Sequence, residues 1–302
     1  MAETDAWLDS AVLNRLMHLT LMARSPMEGS VAGLHKSPHR GSSVEFAEYR
    51  NYVPGDDIRR LDWRVFARSD RFFLKEYEAE TNLRCYYVLD ASGSMKFGAT
   101  PGGKIAYAKR MIATLAYIAA HQGDASGLIC ASGKSVVEIP PRRNPAHLKI
   151  LLETLDKAEP RGETGLISAL HDLAERVRRR ALVVVVSDFF CDLEPLLNAF
   201  QHLRFQKHDL AVFQLLDRAE LEFQFDRPVR FVDLESSMSV VTEPSMIRDE
   251  YLRQLRMFLE SLRRGCNEFG VDYRQVVTDQ SYERVLADFL VERTRMAAMA
   301  GK

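Results

Sequence analysis

The spacing of apolar and polar positions changes character near residue 81. Before it, residues 6–24 (AWLDSAVLNRLMHLTLMAR) set Leu8, Val12, Leu16 and Leu19 on one face of a helix. A loop carrying Gly, Ser and His (SVAGLHKSPHRGSS) follows, then the alternating runs VEFAEYRNYV, RLDWRVFAR and RFFLKEYEAE, interrupted by the turn PGDD. Period-two alternation punctuated by Gly and Pro predicts a small antiparallel β unit. We therefore divide the chain into residues 1–81, a helix with that β unit, and residues 82–302, a larger domain.

From residue 83 apolar strands alternate with helical patterns. The strand RCYYVLD precedes a helix over 103–121. The runs ASGLICAS and SVVEIP are separated only by Gly-Lys, a hairpin signal that makes 134–139 an antiparallel edge. Helices over 146–157 and 166–179 lead into ALVVVVSD, whose four unbroken valines suit the centre of a parallel sheet. Helix 193–205, strand DLAVFQLLD, a strand-rich insert near 221–241, helix 245–268, strand VDYRQVV and a helix from Tyr282 complete the order. This order predicts an α/β fold: a doubly wound, mostly parallel sheet of six main strands with helices on both faces. Helix 103–121 is apolar on more than one face, so it belongs against the sheet and not on a membrane surface.

Composition narrows the function classes. The chain has 302 residues, 46% hydrophobic and 27% charged, with a formal net charge of −1. A nearly neutral protein has no field to draw it to nucleic acid or an anionic membrane. The basic run RVRRR at 176–180 fits the negative end of a helix dipole better than a nucleic-acid patch. There is no apolar stretch of spanning length, and the first residues are acidic, where a secretory leader starts basic. The four cysteines are scattered, as reduced thiols of a cytoplasmic protein would be.

The candidate chemistry begins in YYVLDASGSMKFGATPGGKI, residues 86–105, where a phosphate loop and a metal site compete. GATPGGK, 98–104, has the Gly-x4-Gly-Lys spacing, but Ile105 stands where such a loop needs a hydroxyl for Mg2+. Gly127–Ser135 carries Gly-Lys-Ser but runs into a strand, so no helix N-terminus faces a phosphate. Both read as glycine-containing turns.

The metal reading is stronger. Asp90, Ser92 and Ser94 alternate just past a strand, so their side chains can converge. Oxygen-only donors of this kind suit Mg2+ or Mn2+ and not zinc. Thr164, in the loop RGETGL, and Asp188, ending the valine strand, join them if the first and fourth strands of the domain flank the reversal of strand order. Three functions follow: a metal-dependent protein-binding module, a metal-dependent phosphoesterase, or a scaffold with a vestigial metal site. A phosphoesterase finds little support, because Ser92 occupies the place of the second acid that dehalogenase-type phosphatases need, and no His or Lys is an obvious base. In PGDDIRRLDW, Gly55 suits a tight turn and Asp56 or Asp57 can pair with Arg59 or Arg60, a structural role.

DASGSM, Thr164 and SD together resemble the metal-ion-dependent adhesion site of von Willebrand factor A-type domains. The block EFAEYRNYVPGDDIRRLDW, with FFLKEYEAE after it, resembles a narrower group, domain-of-unknown-function family fifty-eight. Two blocks matching in order make the resemblance specific from about residue 25 to the C-terminus. It implies Asp90, Ser92 and Ser94 as first-loop ligands, Thr164 as the second-loop ligand, and Asp188 as a carboxylate acting through water. It further implies a MoxR-type AAA+ ATPase as an associate. A divalent ion with only two carboxylates near it stays short of anionic ligands, so we expect a non-enzymatic role in which a partner protein offers an acidic residue to the metal.

Overall fold

Val183 to Val186 lie at the middle of a six-stranded sheet, all four without solvent exposure. The computed structural model describes residues 7–24, 83–133, 135–225 and 239–300, with shorter stretches at 35–36, 45–51, 65–66, 73–78, 80–81, 229–232 and 234. We label the sheet strands β1 (Arg84–Asp90), β2 (Ala125–Ser132), β3 (Ser135–Arg142), β4 (Leu182–Ser187), β5 (Asp209–Leu216) and β6 (Asp272–Val277). The helices are α1 (Ser10–Leu16), α2 (Gly103–His121), α3 (Pro145–Lys157), α4 (Leu166–Arg176), α5 (Leu193–Phe205), α6 (Arg218–Glu222), α7 (Pro244–Glu268) and α8 (Tyr282–Ala300).

The strand order is β6-β5-β4-β1-β2-β3. All neighbours are parallel except β2 and β3, so the predicted antiparallel edge strand is present. Alternation along the strands explains the layers. Cys85, Tyr87 and Leu89 of β1 pack with α2, α3 and α8, whereas Tyr86 and Val88 face α4 and α5 on the other side. Both faces of the sheet are thus covered, as uninterrupted apolar strands require. The buried thiols of Cys85, Cys130 and Cys266 belong to these layers, and none of the four cysteines is disulfide-bonded. Among the described residues, no helix is long and apolar enough to cross a membrane.

The helix expected over 6–24 is shorter, Ser10–Leu16. Asp9 terminates it at the front, its carboxylate accepting the Ala11 and Val12 N–H groups. Behind it the helix gives way to a turn and irregular backbone that finds other partners: the Gln122 amide bonds the Leu19 carbonyl and the Leu21 N–H. Val12 and Leu16 join the core shared with α2 and α8. In the preceding block, Glu45–Asn51 pairs antiparallel with Phe73–Glu78. Gly55–Asp57, and the pairing assigned to them, lie outside the described residues.

At the amino ends of β5 and β6 sits a buried ion network. Arg293 of α8, fully buried, bonds Asp209 at 2.7 Å and approaches Asp272 at 3.3 Å; Arg24 reaches Asp272 at 3.1 Å. Arg293 also donates to the Met22 carbonyl, and the Arg24 N–H donates to Asp209. Burial works against the Asp209 carboxylate, but Arg293 and Arg24 hold its pKa below the ordinary value. Removing one member of such a network strands the others. Arg293→Met should therefore destabilise the protein by about 3–5 kcal/mol in urea unfolding. Adding Asp209→Asn should restore part of that loss.

Candidate metal centre

β1 and β4 are adjacent and parallel, with Leu89 opposite Val186, so the residues that follow them emerge side by side. Between these two strands the winding of the sheet reverses, the position at which open α/β sheets hold ligands. Ala91–Ser94 leaves β1 into a short 3-10 turn, and Asp188–Phe190 leaves β4. Phe189 adopts a left-handed conformation, φ 59°, rare for a bulky residue, and its ring is locked edge-on to Phe200.

A third loop is sewn to the first, and to the turn between β2 and β3, by its backbone. Arg161 donates to the Ala91 carbonyl at 3.0 Å, Gly93 donates to the Gly162 carbonyl at 2.8 Å, and Gly133 donates to the Glu163 carbonyl at 2.7 Å. Gly165 permits this approach, since a Cβ there would stand 2.2 Å from the Gly133 carbonyl oxygen. The loop thereby delivers Thr164 to the crevice.

The side chains meet around Asp90, which is 2% exposed. Its Oδ1 accepts from the Ser92 N–H at 2.9 Å, and its Oδ2 accepts from the Ser187 hydroxyl at 2.6 Å. The Thr164 hydroxyl lies 3.2 and 3.3 Å from the two oxygens. Ser92 Oγ and Ser94 Oγ are 3.0 Å apart, with Ser94 and Thr164 partly exposed at the mouth. Burial, then the neighbouring Asp188 charge, push the Asp90 carboxyl up to about 6 despite these donors.

Asp188 reaches the same crevice but already has a cation. Its Oδ1 accepts from the Phe190 N–H at 3.2 Å, and its Oδ2 accepts from Lys104 Nζ at 2.7 Å. Lys104 is fully buried in the first turn of α2 and also bonds Glu220 of α6 at 2.6 Å. Burial works to lower the Lys104 pKa, but the charges of Asp188 and Glu220 outweigh it and hold the pKa above the ordinary value. A lysine is therefore present at the cleft where the sequence offered none, yet it is a fixed cation and not a base.

Of the five predicted residues, Asp90, Ser92, Ser94 and Thr164 form one cluster, and Asp188 stands beside it on Lys104. The sequence reading missed Ser187 and Lys104. Ser187 had a readable signal, a hydroxyl closing an apolar strand beside Asp188. Lys104 belongs to GATPGGK, and it follows Gly103, whose φ of +70° starts the helix against the Lys96 carbonyl.

Three hydroxyls around a buried carboxylate of raised pKa fit a hard divalent ion such as Mg2+ or Mn2+. Asp90 would be the charged ligand and Ser92, Ser94 and Thr164 the neutral ones. Among the described residues, no three His, Cys, Asp or Glu side chains gather to hold a metal. The donor set is built on hydroxyls.

A family model described as protein of unknown function DUF58 matches residues 48–258. An uncharacterized protein of Mycobacterium tuberculosis, Rv1480, is 29% identical over 301 residues, 97% of this chain and 93% of its own. Among solved structures, the conserved hypothetical protein BatB of Bacteroides thetaiotaomicron superposes with a TM-score of 0.46 at 14% identity, covering 71% of this chain and 100% of its own. Manganese-loaded TRAP of Plasmodium vivax gives 0.34 at 16% identity, covering 44% and 56%. Likenesses of this strength leave the chemistry of the cleft to its own residues.

The elevated Asp90 pKa has a testable sign. With the ordinary value at 3.8 and the folded value at about 6, the unfolded chain releases its proton first as pH rises, so stability falls across that window. Above about 6 the loss is complete, at about 3 kcal/mol. In chelator, Asp90→Asn should be more stable than wild type at pH 8, by up to that amount, and the advantage should vanish near pH 4. Urea unfolding at the two pH values checks this; an equal difference at both would contradict it.

Proposed function

The chain belongs to the DUF58 family of unknown function, and on that premise we propose that it is a metal-dependent protein-binding module. The observation that carries the reading is the convergence of Asp90, Ser92, Ser94 and Thr164 from two stitched loops at the sheet's reversal point. A divalent ion held mainly by neutral hydroxyls supplies an electrophilic centre that still attracts an external carboxylate. The partner then contributes a Glu or Asp, and the partly exposed Ser94 and Thr164 form the mouth through which it enters.

The side chains divide the labour. Ser187 and the Ser92 N–H orient Asp90, and the backbone bonds at Ala91 and Gly93 hold the Thr164 loop in register. The partner class we propose is the one the sequence resemblance implies. A cytoplasmic MoxR-type AAA+ ATPase would use this chain as an adaptor in assembling or maturing protein complexes.

Thermal unfolding with and without millimolar Mn2+ or Mg2+ tests the ion, since a ligand of the native state raises its melting temperature by mass action. Wild type should shift upward, and Asp90→Ala and Thr164→Ala should not. A pull-down from lysate in Mg2+ and in chelator tests the partner. Recovery should require the ion and fail with Asp90→Ala; equal recovery in both buffers would refute the reading.

A further inference from the structure

Lys104 is a feature of the cleft that neither the proposed coordination nor the hydrophobic core explains. Its ammonium is fully buried, 2.7 Å from Asp188 and 2.6 Å from Glu220, with the rings of Phe190 and Phe97 at 5.2 and 5.8 Å. A buried lysine is costly unless its charge is answered. Here it is answered twice, and Glu220 is itself fixed. Its second oxygen accepts the Asp217 N–H at 2.7 Å, closing a capping box at the start of α6. Its carbonyl accepts the Tyr251 hydroxyl of α7 at 3.0 Å. Asp217 in turn takes the Ala99 N–H at 2.9 Å, tying α6 to the loop that delivers Lys104. The ammonium is therefore held from both sides and does not swing out to solvent.

We infer that Lys104 is a built-in counter-cation that sets the divalent-ion affinity of the cleft. This inference rests on the proposed metal-dependent reading and deepens it. Lys104 neutralises Asp188, so an incoming ion finds Asp90 without a paired cation and meets the repulsion of a fixed positive charge nearby. The unaided site is then weak, and a partner's carboxylate becomes the decisive ligand. Lys104 Nζ donates to Asp188 and Glu220 and not to the hydroxyls or Asp90, so it acts on the ion by its charge and by pairing Asp188, without being a ligand.

Mn2+ titration calorimetry on the full chain and two variants tests the inference, with circular dichroism confirming the fold. Lys104→Met removes the counter-cation and should tighten Mn2+ binding by about tenfold or more. Glu220→Gln leaves the ammonium to Asp188 alone and should weaken binding several-fold, roughly. The two opposite signs separate electrostatic tuning from a merely structural role, which would loosen both. If Lys104→Met does not fold, the direction of Glu220→Gln decides. Lys104→Met binding no tighter than a Mn2+-binding wild type, or Glu220→Gln binding no weaker, overturns the inference and leaves the metal-dependent reading standing. Mn2+ binding by neither the wild type nor a folded Lys104→Met overturns both.

Discussion

A charge withdrawn from water has to be answered, and how each buried acid is answered organises this molecule. The sheet topology puts Asp90 and Asp188 at the ends of neighbouring parallel strands, where neither can avoid the crevice or the other. They are answered differently. Asp188 has a lysine at 2.7 Å, a full opposite charge. Asp90 has hydrogen bonds from one N–H and from hydroxyls, which lower the cost of its charge without cancelling it. The direction of its pKa, upward to about 6, expresses that deficit.

The opposite end of the same sheet shows the completed version. Asp209 and Asp272 begin β5 and β6, equally buried, and Arg293 and Arg24 answer them with cations. Asp209 is accordingly held below its ordinary pKa, and Asp90 above. At the amino end of the sheet each acid has a cation, and the pairs tie the N-terminal segment to the last helix. The carboxyl end is left short of positive charge. Such local inconsistency in an otherwise self-consistent fold is expected where function resides.

Much of this was legible in the sequence because period and burial are written locally. Residues 183–186 announce a central strand, and the alternation Asp90, Ser92, Ser94 announces converging oxygens. Strand order brings Asp188 beside Asp90, and Thr164 is marked by a glycine-flanked loop that opens a helix. What escaped were features decided by non-local pairing. Helix α1 ends at Leu16 because the backbone beyond it bonds Gln122, more than a hundred residues away. Lys104 points inward because Asp188 and Glu220 await it, and neither is near it in the chain. Its sequence context, a glycine-rich loop before a helix, mimics a phosphate motif and carries no sign of the two distant acids.

The use of hydroxyls in place of carboxylates has a consequence for binding. A cage of acids would neutralise a divalent ion and leave it little attraction for a further ligand. Ser92, Ser94 and Thr164 are already gathered by hydrogen bonds among themselves and with Asp90, so little side-chain entropy is lost when a ligand arrives. On the proposed reading, a preformed, weakly anionic set of oxygens would favour reversible recognition, with the last ligand supplied by a partner's carboxylate. Lys104, paired with the second acid, would on the same reading move the balance further in that direction.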